Sequence, residues 1–231
     1  MAHLILYSDK NFGGDHKHIV DTTASLQLFA GGECIADCEW PSSVSSIVIL
    51  SGNWRFFAEE NLHEPYGAIL GPGLYSFVGP FKLRNDNIRS LEVVDDPPNM
   101  QGEPLSAYLT LFENVNFRGN HVHVFGEQTD LDALGFSGVT SSLMVELGNW
   151  SFFSDTEFDG SYPGAPVVGP GVYPDVSEIA IQNDSIRSLQ PVDSPPTTMN
   201  AVDNHLILFR YSLYYGAHRH VVAAEPNLNA A

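Results

Sequence analysis

The segment Tyr7-Ser-Asp-Lys-Asn-Phe12-Gly-Gly14 occurs three times in altered form, and no other pattern in the chain says as much about its architecture. It returns as Phe112-Glu-Asn-Val-Asn-Phe117-Arg-Gly119 and as Phe209-Arg-Tyr-Ser-Leu-Tyr214-Tyr-Gly216. All copies read aromatic-x4-aromatic-x-Gly and continue as Gly-x-His-x-His, giving the pairs His16/His18, His121/His123 and His218/His220. Self-similarity of this kind marks a duplicated supersecondary unit. Around the first two copies stand further matched pairs. Ser45-Ser46-Ile47 answers Ser141-Ser142-Leu143, and Gly-Asn-Trp-x-Phe-Phe occupies 52–57 and 148–153. Gly71-Pro-Gly-Leu-Tyr75 answers Gly169-Pro-Gly-Val-Tyr173, and Asn85-Asp-Asn-Ile-Arg-Ser-Leu91 answers Asn183-Asp-Ser-Ile-Arg-Ser-Leu189.

Each copy closes on a similar stretch, Asp95-Asp-Pro-Pro-Asn or Asp193-Ser-Pro-Pro-Thr. Paired prolines cannot continue a strand ladder and favour stiff extended chain, so these are linkers. The runs Leu4–Tyr7, Ile47–Leu50 and Leu109–Phe112 are β-branched or aromatic and bounded by Gly, Asn, Asp and Ser, as strands are. Long 3.6-residue periodicity is missing, so short strands at near-regular spacing predict an all-β sandwich in tandem.

The 231 residues carry 10 Lys and Arg against 28 Asp and Glu, a net charge of −18. That excess disfavours phosphate-backbone binding, which runs on Lys and Arg, and docking on anionic membranes, so neither nucleic acid nor membrane is an expected partner. No run of apolar residues approaches a membrane helix, and residues 1–10 lack a basic segment followed by an apolar one. The expected location is cytoplasmic, with unconventional secretion left open. Cys34 and Cys38 are too few for a disulfide-framed domain.

The linked motifs closely resemble the βγ-crystallin superfamily, especially its microbial members, over 3–94 and 107–192 with a half-motif at 203–229. The resemblance implies two Greek-key β-sandwich domains, at 1–95 and 106–193, joined by a Pro-rich linker at 96–105. A second linker follows at 194–202, then a partial Greek key at 203–231. A lone hairpin is marginal in water. It should pack on the second unit, pair with another chain as a homodimer, or belong to a third domain. The family's function is not fixed by its fold, since it includes structural, calcium-binding, inhibitory and toxin-associated proteins.

The resemblance also implies a calcium signature, Asn/Asp-Asn/Asp-x-x-Ser/Thr-Ser, with two keys sharing two sites crosswise. Position five supplies a hydroxyl, position three a backbone carbonyl, and the partner key a carboxylate or amide. Such oxygen-only ligation suits calcium. In the second keys, Asn85–Ser90 and Asn183–Ser188, the acidic pair is present but Arg89 and Arg187 replace the hydroxyl. In the first keys, Pro41–Ser46 and Ser137–Ser142, the serines are present and the Asn/Asp pair is not. Arg at 4 Å from a dication opposes binding by about 8 kcal/mol at an effective dielectric of about 20, as much as micromolar affinity supplies. One calcium per domain is therefore the most to expect. The positions carried over are Ser43, Ser45, Asp86 and Asn87 in the first unit, and Val139, Ser141, Asp184 and Ser185 in the second. Opposed to this stands a purely structural reading, with the aspartates capping backbone amides and the arginines pointing outward.

His16/His18 and His121/His123 each place two imidazoles on one strand face, about 6.6 Å apart by strand rise. Two such residues chelate a transition metal only if a third ligand converges, and spacing shows none. They read more readily as a duplicated surface or part-buried feature. Both cysteines fall in about nine extra residues of the first unit, the stretch Gly32–Glu39. A local disulfide, a soft-metal pair and free or reversibly oxidised thiols are all open, the thiols preferred. Trp54 and Trp150 suit a core more than a sugar-stacking platform. No nucleophile elbow, phosphate loop or His-Glu-x-x-His occurs, so an enzyme is not expected. The expected function is a non-enzymatic structural or stress protein binding calcium weakly. The alternative is a carbohydrate- or protein-binding module using exposed loops.

Overall fold

The computed structural model describes residues 2–30, 33–38, 40, 43–200 and 205–222, the side chains of 28–30, 35 and 213 excepted. Gly32, Glu39, Pro41 and Ser42 of the motifs above, and parts of the 194–202 and 203–231 segments, lie outside them. The chain divides into two compact units: Met1–Leu105 with Phe209–His218, and Ser106–Leu208 with Arg219–Ala231.

In the first unit β1 (His3–Tyr7), β2 (His16–Ile19), β3 (Leu28–Ala30), β4 (Glu33–Ala36) and β5 (Ser46–Ser51) precede β6 (Asn53–Phe57), β7 (Pro65–Leu70), β8 (Gly73–Tyr75) and β9 (Ser90–Val94). They form antiparallel sheets in the orders β2-β1-β5-β8 and β7-β6-β9, with β3-β4 as a separate hairpin. A strand from the second half, β8, thus completes the first sheet. In return Thr23 bridges Leu91 of β9. This exchange is the Greek-key crossover.

The second unit repeats the plan with β10 (Tyr108–Asn114), β11 (Arg118–Val124), β12 (Ser142–Leu147), β13 (Asn149–Phe153), β14 (Val167–Tyr173), β15 (Ser188–Val192) and β16 (Thr198–Asn200). Here β14 runs unbroken through Gly169-Pro-Gly171, pairing with both β12 and β13 and joining the two sheets into one. Finally β17 (Leu206–Tyr211) pairs with β18 (Tyr215–Val221). This last hairpin is apportioned between the units, its Phe209–His218 segment grouping with the first. Among the described residues the only helical segments are short 3-10 turns, and none could cross a membrane.

Alternation along each strand sends one set of side chains inward. In the first unit Leu4, Leu6, Ile47, Ile49, Trp54, Phe56 and Tyr75 meet in the core, and Leu109, Leu111, Leu143, Val145, Trp150, Phe152 and Tyr173 do so in the second. The tyrosines after Gly-Pro-Gly close a corner, Tyr75 and Tyr173 each donating to the carbonyl four residues back at 2.7 Å.

The aromatic-x4-aromatic-x-Gly segments are hairpins folded over on themselves. Phe12 and Phe117 take left-handed φ of 63° and 60°, followed by Gly14 at 74° and Gly119 at 78°. A Cβ on Gly14 would run into Ser8 and Asp9 side chains, so glycine is required there. Each fold is pinned by the second serine of Ser-Ser. Ser46 Oγ accepts from the Phe12 N–H at 3.0 Å and donates to the Asp9 carbonyl. Ser142 Oγ accepts from the Phe117 N–H at 3.0 Å and donates to the Asn114 carbonyl at 2.6 Å. Ser90 and Ser188 do the same for the hairpins at Leu62 and Phe158. Ser142→Ala removes both bonds from a fully buried position and should cost about 1–3 kcal/mol in denaturant unfolding. A change below about 0.5 kcal/mol would show that the hairpin holds without the pin.

The nine-residue insertion of the first unit has its own construction. Cys34 and Cys38 form a disulfide, with Cα atoms 5.7 Å apart, which corrects the preference for free thiols. Spacing alone did not decide the matter, because bridging depends on how tightly the turn between them closes.

Candidate metal centre

Two kinds of donor set emerge, one of oxygens and one of imidazole nitrogens. The oxygen set lies at the corner where the Ser-Ser segment meets the Asn-Asp loop. The Ser45 N–H donates to the Tyr7 carbonyl at 2.9 Å, its carbonyl accepts from Val78 at 3.0 Å, and Asp86 N–H donates to Val44 at 3.1 Å. With Asp86 in left-handed backbone at φ 58°, Ser45 Oγ lies 3.3 Å from Asp86 Oδ1. The second unit repeats this with Asp184 at φ 54° and Ser141 Oγ 3.1 Å from Asp184 Oδ1. Both serines are nearly buried, whereas both aspartates reach solvent. Two oxygens each about 2.4 Å from one calcium ion stand about 2.8–3.4 Å apart, a range that includes these hydrogen-bonded pairs.

The remaining carried-over positions are placed differently. The Asn87 carbonyl accepts from Tyr66 Oη at 2.7 Å, and Ser185 Oγ is 2.7 Å from Tyr162 Oη. The Ser43 N–H donates to the Trp40 carbonyl at 3.2 Å, and Val139 packs against the second core. Arg89 and Arg187 are exposed. Arg89 lines an open depression with Arg84, Asn87, Glu59 and Glu64.

The nitrogen set is built on the sheet faces opposite the cores. On β2, His16 and His18 alternate with Lys17, placing both imidazoles on the face shared with Ile5 and Tyr7. His218 joins them from the C-terminal hairpin, with ring centroids 5.1 Å from His16 and 4.5 Å from His18. His16 Nε2 and His218 Nε2 are 3.4 Å apart. Burial, with a second contribution from His218, lowers the His16 pKa to about 3. In the second unit His121, His123 and His220 make the same triangle, with ring centroids 5.3, 4.9 and 5.5 Å apart. Each trio offers its ligand nitrogens within 4.8 Å of one another.

The outer nitrogens are occupied in a repeated way. A residue at the start of each opening strand, or just before it in the case of His205, bonds to Nδ1 of the second histidine of its own hairpin. His3 Nε2 lies 2.9 Å from His18 Nδ1, Tyr108 Oη 3.0 Å from His123 Nδ1, and His205 Nε2 2.8 Å from His220 Nδ1. Thr110 Oγ1 also lies 3.0 Å from His123 Nδ1 and donates to Glu146 Oε1 at 3.0 Å. Burial holds the Glu146 carboxyl well above its usual range, Thr110 and Tyr108 opposing the rise. Sequence spacing missed His218 and His220 as third ligands because they lie far along the chain. It missed His3, Tyr108 and His205 because they precede the motif that drew attention.

The family model described as Beta/Gamma crystallin matches residues 3–94 and 108–192. The chain belongs to the βγ-crystallin family. A βγ-crystallin of Ciona intestinalis is 34% identical over 83 residues, 36% of this chain and 94% of that protein. Human gamma-crystallin N is 31% identical over 87 residues, 38% of this chain and 46% of that protein, so the chain spans under half of this second relative. Among solved structures, a transition-metal-ion-binding βγ-crystallin from Methanosaeta thermophila is 31% identical, with a TM-score of 0.32, covering 39% of this chain and 99% of that one.

Proposed function

We propose that this βγ-crystallin is a non-enzymatic structural or stress-protective protein that binds one calcium ion per unit with modest affinity. The observation that carries the reading is the pairing of hydroxyl and carboxylate oxygens at calcium spacing in both units, Ser45 with Asp86 and Ser141 with Asp184. The complementary pairing would place Arg89 or Arg187 against the ion, and Coulomb repulsion removes it. Calcium then acts by linkage, stabilising the folded state by about 2.7 kcal/mol at a hundredfold excess over Kd.

Calorimetric titration of calcium into chelator-treated protein tests this. Binding heat and a raised melting temperature are expected, with both lost in the Asp86→Ala/Asp184→Ala double variant. Silence in the calorimeter together with an unmoved melting temperature would overturn the calcium reading.

A further inference from the structure

We propose that His16, His18 and His218 form a binding site for a divalent transition-metal ion of the zinc class, and that His121, His123 and His220 form a second. Neither site shares a residue with the oxygen pairs, so this inference stands or falls apart from the calcium reading.

Three features point to a metal rather than to aromatic packing alone. The first is ligand number and spacing. Zinc–nitrogen bonds of about 2.0–2.1 Å put neighbouring ligands of a tetrahedron about 3.3 Å apart. His16 Nε2 and His218 Nε2 are 3.4 Å apart, with His18 converging on them.

The second is control of the non-ligating nitrogen. A metal-bound imidazole ordinarily has its other nitrogen held by a neighbour, which fixes tautomer and ring orientation. His18 Nδ1, His123 Nδ1 and His220 Nδ1 are each held in this way, by His3, Tyr108 and His205 respectively. In the second unit Thr110 gives its hydroxyl proton to Glu146. Its oxygen can then accept Nδ1–H from His123, the tautomer in which Nε2 is the basic, ligating nitrogen.

The third is the electrostatic setting. His18, His123 and His220 are 1%, 3% and 2% exposed, so an ion held between them would be shielded from bulk water and from competing solvent ligands. The nearest lysine in sequence, Lys17, is turned to the other face, where it bonds Leu26 and Asp37. The third repeat thereby acquires a use. It brings the ligand that each His-x-His pair lacks by itself.

The test uses the full chain, stripped with chelator, and zinc chloride as the probe, read by calorimetry and by competition with a chromophoric chelator. Cobalt(II) serves as the optical reporter of tetrahedral nitrogen ligation. Uptake of zinc is expected, weakened at least 100-fold at the first site in His16→Ala and at the second in His121→Ala. His63→Ala, outside both trios, should bind as the parent does. His3→Phe should weaken the first site by about 10–100-fold through loss of the bond that orients His18. Circular dichroism of each metal-free variant shows that it is folded, and zinc should raise the melting temperature of the parent but not of the His16→Ala/His121→Ala double variant. A parent that takes up no zinc overturns the proposal. Uptake unchanged in His16→Ala overturns the first site, and uptake unchanged in His121→Ala the second.

Discussion

Asp37→Ala should destabilise the first unit by about 3–5 kcal/mol, as removal of one member of a buried ion pair does. Lys17 is 6% exposed, and its ammonium lies 2.6 Å from Asp37 Oδ2 and 2.8 Å from the Leu26 carbonyl. It also rests 4.3 Å above the Tyr215 ring. Burial lowers the Lys17 pKa while Asp37 opposes that shift, so the carboxylate is what makes the buried charge tolerable. Asp37 further accepts from the Gly216 N–H at 3.2 Å, and Tyr215 donates its hydroxyl to the Ser25 carbonyl. Without Asp37, Lys17 either keeps an uncompensated charge in the interior or gives up its proton, and both cost free energy. Urea unfolding should show the loss, and Lys17→Met/Asp37→Ala should recover much of it because no charge is left stranded. A loss under about 1 kcal/mol in Asp37→Ala would mean that water reaches Lys17 and the pair is not a keystone. The disulfide bears on the same result. Asp37 sits at φ 57° in the turn closed by Cys34 and Cys38. A loop this short contributes about 2 kcal/mol in the chain-entropy model. Reduction should therefore lower stability in the parent, and by less in the double variant, where the turn no longer has a charge to present.

The fold was legible because its decisive steps are local. A left-handed Phe12 before Gly14, the Tyr75 corner after Gly-Pro-Gly and the inward Trp54 each show in a few neighbouring residues, and each occurs twice. The oxygen pairs were legible by resemblance, and in each unit the serine of the first key does meet the aspartate of the second. What sequence did not reveal depends on chain segments far apart. His16 and His218 are separated by 202 positions, and nothing within Gly216-Ala-His218-Arg-His220 says which β-face it will join. Asp37 looks like one more acid in a chain of net charge −18, and only the burial of Lys17 distinguishes it. The Ser46 pin was visible as a repeated Ser-Ser, but its partners are backbone groups 34 and 37 positions back, which carry no side-chain signature. Repetition made the fold readable, whereas the sites depend on what differs between the copies.

Trp54→Ala should cost about 3–5 kcal/mol in the first unit, the largest loss expected from truncating one core side chain there. The indole is fully buried, packed with the first core, and its N–H donates to the Ser51 carbonyl at 3.1 Å. Removing it leaves an apolar cavity and takes the indole donor from the Ser51 carbonyl at the end of β5. Trp150 has the same setting in the second unit, with its N–H 3.0 Å from the Leu147 carbonyl, so Trp150→Ala should cost a similar amount there. In a Trp40→Phe background, which removes the third tryptophan beside the first core, each variant keeps one tryptophan, so fluorescence-followed urea unfolding reports on the untouched unit, while circular dichroism reports on the whole. Trp54→Phe should recover a large part of the loss by restoring volume, though not the hydrogen bond. The result also bears on whether these residues could be a sugar-stacking platform. A side chain with no exposed surface cannot stack a ligand without the sheet opening, so a carbohydrate role would require Trp54→Ala to leave stability nearly unchanged while abolishing glycan binding. A loss of several kcal/mol, with the Trp150 signal unfolding as in the parent, places Trp54 in the core and leaves surface chemistry to the oxygen pairs and the histidines.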